Sequence, residues 1–366
     1  MSRAGAPGGR VVVTASVPGR ICLAGESLDW MTGGSSVVAA IPLRTQVTAW
    51  RAGGPDAIAL SSGSPLCRTR LIPASQAAAA QYDGDVLDHM QAAARVVLGT
   101  AGALAGTVLT ACTDLPVGAG AASSAAVSLA VVAALLRLSD ERPADMDTVC
   151  ALACQAESGE LGSGAGWMDF LACAHGGINR IHATTPPKVE PLMPSLGVPV
   201  VLIDTLHRRT TARVLASKRD RYQARESAML SYVRRAPLLV DAIAVALCRP
   251  WPDYGEVGSL LTAAQALLRD EVRCSTPLID TCVSRVLAAG ACGAKLSGSG
   301  HGGCLFALVP DDAVTAVLAS VADLPVHAVA LPPGGELAGL ACTVSSGRSQ
   351  DAGSRDESRY ARGRVQ

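Results

Sequence analysis

The sequence predicts an α+β protein in two halves, divided near residue 190. Three observations predict it. The chain has 366 residues, 49% of them hydrophobic, enough to bury two sizeable cores and too apolar for a disordered chain. Short apolar runs of strand character are mixed with longer runs of helical period. Two glycine-rich turns punctuate that pattern, one leading into a helix and the other into a strand.

In chain order, Met1 to Gly9 is rich in Gly, Ala and Pro and is expected to fray. Arg10 to Val17 reads as a strand, and Arg20 to Gly34 as a buried strand that turns into a polar loop. Val37 to Ile41 and Thr45 to Arg51 read as strands. Asp85 to Leu98 reads as a helix with Val86, Met90, Ala93 and Val97 on one face. A strand at Gly106 to Ala111 then delivers the chain to Gly118-Ala119-Gly120 and a long helix. A helix over 144–157 is followed by Gly159 to Gly166, with four glycines, and by Trp167-Met168-Asp169-Phe170. The second half opens with a strand at Val198 to Thr205 and a basic stretch at Arg208 to Arg225. Helical patterns follow at 213–248, 256–271 and 276–289. After the second glycine-rich turn, Lys295 to Cys304, come a strand at Leu305 to Val309, a helix over 311–322, and strands at Val326–Leu331 and Leu340–Val344. The last residues, 345–366, alternate charges with Gly and Ser and are expected to form a disordered tail.

Composition excludes several functions. Formal net charge is zero, so neither nucleic acid nor an anionic membrane is expected as the main partner. The longest apolar run, Val127 to Leu136, is too short to span a bilayer. The chain does not open with a secretory pattern, and a cytoplasmic location is expected. Its 12 cysteines form no CxxC pair and read as buried, reduced thiols rather than zinc or redox motifs.

The chemistry lies in the turns. A helix that starts after a glycine-rich loop aims its unpaired N–H groups and positive dipole end at whatever sits there, which suits a phosphate. Ser123 and Ser124, in the first turn, can give hydroxyls to a metal or to a phosphate oxygen. Phosphoryl transfer also needs a carboxylate for Mg2+ and a group that orients the attacking hydroxyl. Glu157 can hold the metal, with Glu160 as a neighbouring alternative, and Asp169 can act as base. Arg20 can keep Asp169 ionised or stabilise charge on the phosphoryl group. No GxxxxGK[ST] occurs, which excludes a P-loop. A dinucleotide fingerprint fails because Ser123 stands where its third glycine belongs.

Together these stretches resemble the three motifs of the GHMP kinases, the superfamily of galactokinase, homoserine kinase and mevalonate kinase. Val17-Pro-Gly-Arg20-Ile-Cys-Leu-Ala-Gly-Glu26-Ser-Leu-Asp29 resembles the galactokinase substrate motif more than that of mevalonate kinase. Leu115-Pro-Val-Gly-Ala-Gly-Ala-Ala-Ser-Ser-Ala125 resembles the ATP loop, Gly166-Trp-Met-Asp169 the catalytic Asp segment, and Lys295 to Cys304 the third motif. The resemblance implies a ribosomal protein S5 domain 2-like N-terminal domain (10–190) and a ferredoxin-like C-terminal domain (191–344), with ATP and Mg2+ between them. It implies ATP contacts at Pro116, Gly118, Ala119, Gly120, Ala122, Ser123, Ser124, Gly298 and Gly300. Ser123 or Ser124 would hold the metal with Glu157, Asp169 would be the base beside Arg20, and Glu26 and Asp29 would bind sugar hydroxyls. Ser27, Gly166 and Arg219 complete the expected substrate contacts.

The sequence also departs from that pattern. Galactokinases carry His where Ser27 stands, and a smaller residue there can admit a longer sugar. Seven basic residues between Arg208 and Arg225 replace the Ser-x-Tyr-x-x-Arg-Arg pattern and can bind a phosphate already on the sugar, or can simply form a solvated helix face. The expected activity is phosphorylation of the anomeric hydroxyl of a monosaccharide, with a heptose or octose phosphate as candidate substrate. The alternatives are an ordinary galactokinase, a non-catalytic sugar or ATP sensor, and a decarboxylase of the same fold.

Overall fold

The described residues build two sheets, and the first begins with a strand longer than its sequence suggests. In this computed structural model, residues 10–52, 56–63, 66–77, 79, 81–101, 105–140, 144–333 and 337–347 are described. The first half runs β1 (Arg10–Ala24), α1 (Leu28–Thr32), β2 (Ser35–Arg51), β3 (Ala57–Ser62), β4 (Thr69–Pro73), α2 (Leu87–Ala101) and β5 (Thr107–Thr113). It continues with α3 (Ser123–Ser139), α4 (Met146–Cys154), α5 (Met168–His175), β6 (Ile178–His182) and β7 (Lys188–Met193). The second half runs β8 (Val200–Asp204), α6 (Thr211–Gln223), α7 (Ser227–Leu247), α8 (Tyr254–Asp270), α9 (Pro277–Ala288) and β9 (Gly293–Leu296). Then come β10 (Cys304–Leu308), α10 (Val314–Ser320), β11 (His327–Leu331) and β12 (Ala341–Gly347).

Pro18-Gly19 does not end β1. A register shift between those two residues absorbs the interruption, and the strand carries Arg20 into the interior. Likewise β2 joins the two strands expected at 37–41 and 45–51; its first part pairs with β6 and its second with β5. The first sheet has the order β12-β1-β2-β5-β3-β4, with β6 and β7 off that path, and is mixed because β3 and β5 run parallel. The second is antiparallel, in the order β11-β8-β10-β9.

Two expectations about the chain end are corrected. The strand expected to finish the second half, β12, returns to the first sheet and pairs with β1. Ser345 to Gly347, expected to begin a disordered tail, belong to that strand, where they pair with Val12, Val11 and Arg10. Ladder hydrogen bonds to an edge strand satisfy a polar segment that has no apolar face of its own. The rest of the expected tail and the expected frayed start at 1–9 lie outside the described residues. The cysteines form no disulfide, and the expectation of burial holds for Cys22, Cys150, Cys173, Cys274, Cys282 and Cys304; Cys67, Cys112, Cys248 and Cys342 are exposed.

Helix α3 shows why its segment is so rich in Ala and Val. From Ala125 to Leu135 it is buried on almost every side, between α2 and the sheet strands β1 and β2, so small side chains are required around its whole circumference. In the second half, α8 crosses β9 where Gly258 meets Cys292 and Gly293 backbone to backbone. A Cβ at Gly258 would collide with the carbonyl of Cys292. Gly258→Ala is therefore expected to cost about 1–3 kcal/mol through overpacking, read as a lower urea midpoint with unchanged slope. A midpoint equal to that of the wild type would contradict this packing.

Candidate active site

The loop before α3 is held open by its backbone. Gly118 and Gly120 take φ of 67° and 85°, and Ala122, at φ 62°, accepts the left-handed region that costs a residue with a Cβ about 1–2 kcal/mol. No side chain caps α3, so its first N–H groups stay available to an anion. Ser123 braces the loop instead: its Oγ accepts the Gly118 N–H at 3.2 Å. The second glycine-rich turn packs against the first. The Cys304 N–H donates to the Ala119 carbonyl, Ser297 Oγ donates to the Gly120 carbonyl at 3.1 Å, and a Cβ at Gly120 would collide with the Ser297 carbonyl.

Arg20 lies beneath both turns and is 2% exposed. Its Nε and Nη2 donate to Asp169 Oδ1 at 2.8 and 2.6 Å, and Nη1 donates to the Gly120 carbonyl at 2.6 Å. Burial works against the guanidinium charge, but Asp169 and its hydrogen bonds outweigh burial and hold the group firmly protonated. Asp169 sits in the first turn of α5, and its side chain is 27% exposed, so the carboxylate is fixed on one side and open on the other.

The expected substrate residues part company. Glu26 is 2% exposed and ion-paired to Lys295, whose Nζ also donates to the carbonyls of Cys22 and Leu296 at 2.8 Å. Its carboxylate therefore ties β1 to β9, although the residue still borders the cavity. Ser27 faces the cavity at φ 69°. Asp29 accepts backbone N–H groups of Trp30 and Met168, has no cation partner in the described structure, and packs so closely on Gly166 that a Cβ there would collide with its carboxylate. Burial, reinforced by the charge of Asp169, pushes Asp29 up to about 6. Arg219, expected to touch substrate, is corrected to a position behind the wall. Its guanidinium lies over the Trp30 ring at 5.1 Å and donates to the Gly164 carbonyl at 2.6 Å. That stacking locks the glycine loop ahead of Asp169.

Glu157 lies in a single π-helical turn, Gln155–Glu160, after α4. Such turns point side chains where an α-helix would not. Its Oε2 is buried without a hydrogen-bond partner, its carboxylate bonds to Ser124, and burial first, then Asp169, push it up to about 7. Glu160, the alternative ligand, is occupied by Tyr82 and Arg95.

A cavity of roughly 1190 Å3 joins these parts. It is lined by Arg20, Asp29, Gly118, Ser124, Glu157 and Asp169 among others, and is larger than a drug-sized ligand needs. Pro116, Ala119 and Gly300 shape the loops without facing it, whereas Gly120, Ala122, Ser123 and Gly298 do face it. Of the basic stretch only Arg208 and Arg209 line it. Arg208 forks onto Asp204 through two bonds of 2.7 Å, and Arg209 donates to the carbonyls of Gly300 and Gly118 at 2.9 and 3.1 Å. Arg209 thus clamps both turns together, a role its neighbours in the charge run conceal. Among the described residues no cluster of three or more His, Cys, Asp or Glu could hold a metal, so a cation here would rely on few protein ligands.

Comparison with known proteins agrees with this geometry. Residues 86–177 match the family model described as GHMP kinases N terminal domain, and residues 243–326 the one described as GHMP kinases C terminal. The chain is 29% identical over 315 residues to a mevalonate kinase of Pyrococcus abyssi, covering 82% of this chain and 89% of the relative. It is 27% identical over 339 residues to a galactokinase of Mycobacterium bovis, covering 82% and 90%. Its fold resembles that of Lactococcus lactis galactokinase complexed with galactose, with a TM-score of 0.76 at 20% identity, covering 90% of this chain and 95% of that one.

The two raised carboxyls dictate a pH dependence. Glu157 binds its proton more tightly folded than unfolded, so its contribution to stability is complete below about pH 4 and is lost as pH rises through about 7. In EDTA, the wild-type melting temperature is expected to fall between pH 5 and 8, and Glu157→Gln is expected to flatten that fall. Parallel profiles for the two proteins would remove Glu157 as the cause.

Proposed function

The chain belongs to the GHMP kinase superfamily, and on that premise we propose that it moves the terminal phosphoryl group of ATP onto a monosaccharide, at the anomeric hydroxyl. One observation carries the reading: the open N-terminus of α3, the Arg20-held Asp169 and the cation-free Asp29 line a single cavity. The triphosphate lies on the loop from Gly118 to Ser124, whose backbone N–H groups meet its oxygens. Asp29 accepts hydrogen bonds from sugar hydroxyls and orients the acceptor. Asp169 receives the proton of the attacking hydroxyl while the new O–P bond forms and ADP departs. Arg20 keeps Asp169 in place and stabilises the charge that develops on the phosphoryl oxygens.

The buried, unpartnered Oε2 of Glu157 beside the Ser124 hydroxyl fits Mg2+, a hard cation bound through one or two carboxylates plus substrate phosphates. Glu157 and Ser124 would hold it, and when bound it neutralises charge on the terminal phosphates.

The small Ser27 supports an acceptor longer than a hexose, and a heptose or octose phosphate suits it better than galactose. The Pyrococcus abyssi relative favours a second reading, a hydroxy acid of the mevalonate kind. Measuring ADP release with each acceptor, and locating the new phosphate by phosphorus NMR, separates the two. The intact Arg20–Asp169 pair supports a kinase over a silent sensor. Asp169→Asn is expected to lower turnover by about 10²–10⁴-fold with ATP binding retained. Turnover unchanged in that variant would take Asp169 out of the reaction.

A further inference from the structure

Glu157 can meet a cation only while the π-helical turn that carries it, Gln155–Glu160, keeps its shape. Such a turn inserts one residue into the regular ladder, so its surroundings decide whether it persists. Backbone bonds give part of the support. The Leu161 N–H donates to the Ala156 carbonyl at 3.2 Å, and the Ser163 N–H donates to the Glu157 carbonyl at 3.1 Å. On the side towards Asp169, Ser158 Oγ donates to the Ala165 carbonyl at 2.7 Å, beside the Gly166 on which Asp29 packs.

The other side of the turn is tied to α2 through one carboxylate. Glu160 Oε2 accepts the Tyr82 hydroxyl at 3.0 Å and pairs with Arg95 Nε at 3.3 Å. Both partners are themselves fixed. Arg95 stands in α2, and Tyr82 sits between two residues bonded to that helix. The Gln81 carbonyl accepts Gln91 Nε2 at 3.1 Å, and the Asp83 N–H donates to Asp88 Oδ1 at 3.1 Å. Glu160 follows Glu157 by three residues and borders the same cavity, so without these partners it would compete for a cation. A metal that relies on few protein ligands depends heavily on how each is aimed.

We propose that Glu160, held by Tyr82 and Arg95, is a positioning residue for the divalent cation: it pins the turn that aims Glu157, and its own carboxylate is kept from the metal. This rests on the reading of Glu157 and Ser124 as the metal's protein ligands. The Arg95–Glu160 pair is partly exposed, at 31% and 28%, and such pairs add little to stability. Its loss is therefore read in cation binding rather than in folding.

The test is a calorimetric titration of the full chain with a non-hydrolysable ATP analogue, once in Mg2+ and once in EDTA. The ratio of the two dissociation constants, EDTA over Mg2+, reads what the cation contributes, and the EDTA value reads everything else. The wild type is expected to bind more tightly in Mg2+. Glu160→Ala is expected to shrink the ratio about tenfold, to leave the EDTA value unchanged, and to melt within about 4 °C of the wild type. Tyr82→Phe combined with Arg95→Met is expected to shrink the ratio too, and adding Glu160→Ala to that pair to shrink it no further, because all three act through one carboxylate. Should Glu160→Ala fail to fold, Tyr82→Phe alone must still shrink the ratio at least about twofold. An unchanged ratio in folded Glu160→Ala overturns the proposal. So does a larger ratio in the Tyr82→Phe/Arg95→Met protein, which would make the released Glu160 a metal ligand. If the wild type gains nothing from Mg2+, or Glu157→Gln keeps the gain, the metal reading falls and the pin falls with it. A gain lost in Glu157→Gln but kept in Glu160→Ala sinks the pin alone.

Discussion

A guanidinium that cannot reach water must find acceptors inside the fold, and the site follows from where Arg20 finds them. It takes the Asp169 carboxylate from α5 and the Gly120 carbonyl from the first glycine-rich turn. Ser297, on the second turn, is engaged with the same carbonyl. To offer that carbonyl, residue 120 must turn its backbone inward at φ 85°, against the Ser297 carbonyl, where a Cβ cannot fit. The two turns thus meet at backbone distance because one cation needs both. The same demand fixes Asp169 at the cavity wall with one oxygen engaged. The position of the candidate base is a consequence of burying Arg20.

Among the carboxylates that border the cavity, the partners of four divide them. Glu26 and Asp169 each hold a buried cation, Lys295 and Arg20. Asp29 and Glu157 hold none in the described structure, and burial pushes both upward. The first two are anchors, since removing either would leave a buried charge alone, which is far costlier than losing the pair. The second two are receptive: one accepts hydroxyl donors or a proton, the other suits a cation. Glu26, read from its motif as a sugar ligand, therefore stands closer to the architecture than to the acceptor.

What the sequence made legible was carried by residues with narrow physical uses. Glycines at 118, 120, 298 and 300 announced turns, and Arg20, Asp29 and Asp169 announced charges that a fold of this composition must account for. Element boundaries were less legible where a local breaker was overruled: Pro18-Gly19 suggested an end to β1, but pairing with β2 continues across it. The strands β3, β4, β6, β7 and β9 went unread because, at four to six residues, they lack the unbroken apolar run that marked β10. β12 was read as a strand but not as a partner of β1, since pairing across more than three hundred residues leaves no local trace.

The basic stretch shows the same limit at the level of side chains. Seven cations in one run suggest a field, yet in the fold their surroundings differ one by one. Arg208 neutralises Asp204, Arg209 clamps two turns, Arg219 stacks on Trp30, and Arg221 joins Glu226 to the carbonyls of Val272 and Glu271. Each of these neutralises an acid or satisfies a carbonyl, so each spends its charge on structure. Lys218 alone among them is fully buried with no hydrogen-bond partner. Specificity for an anion does not then depend on how many cations the run contains. Most of those charges are already answered by a partner that the fold sets beside them.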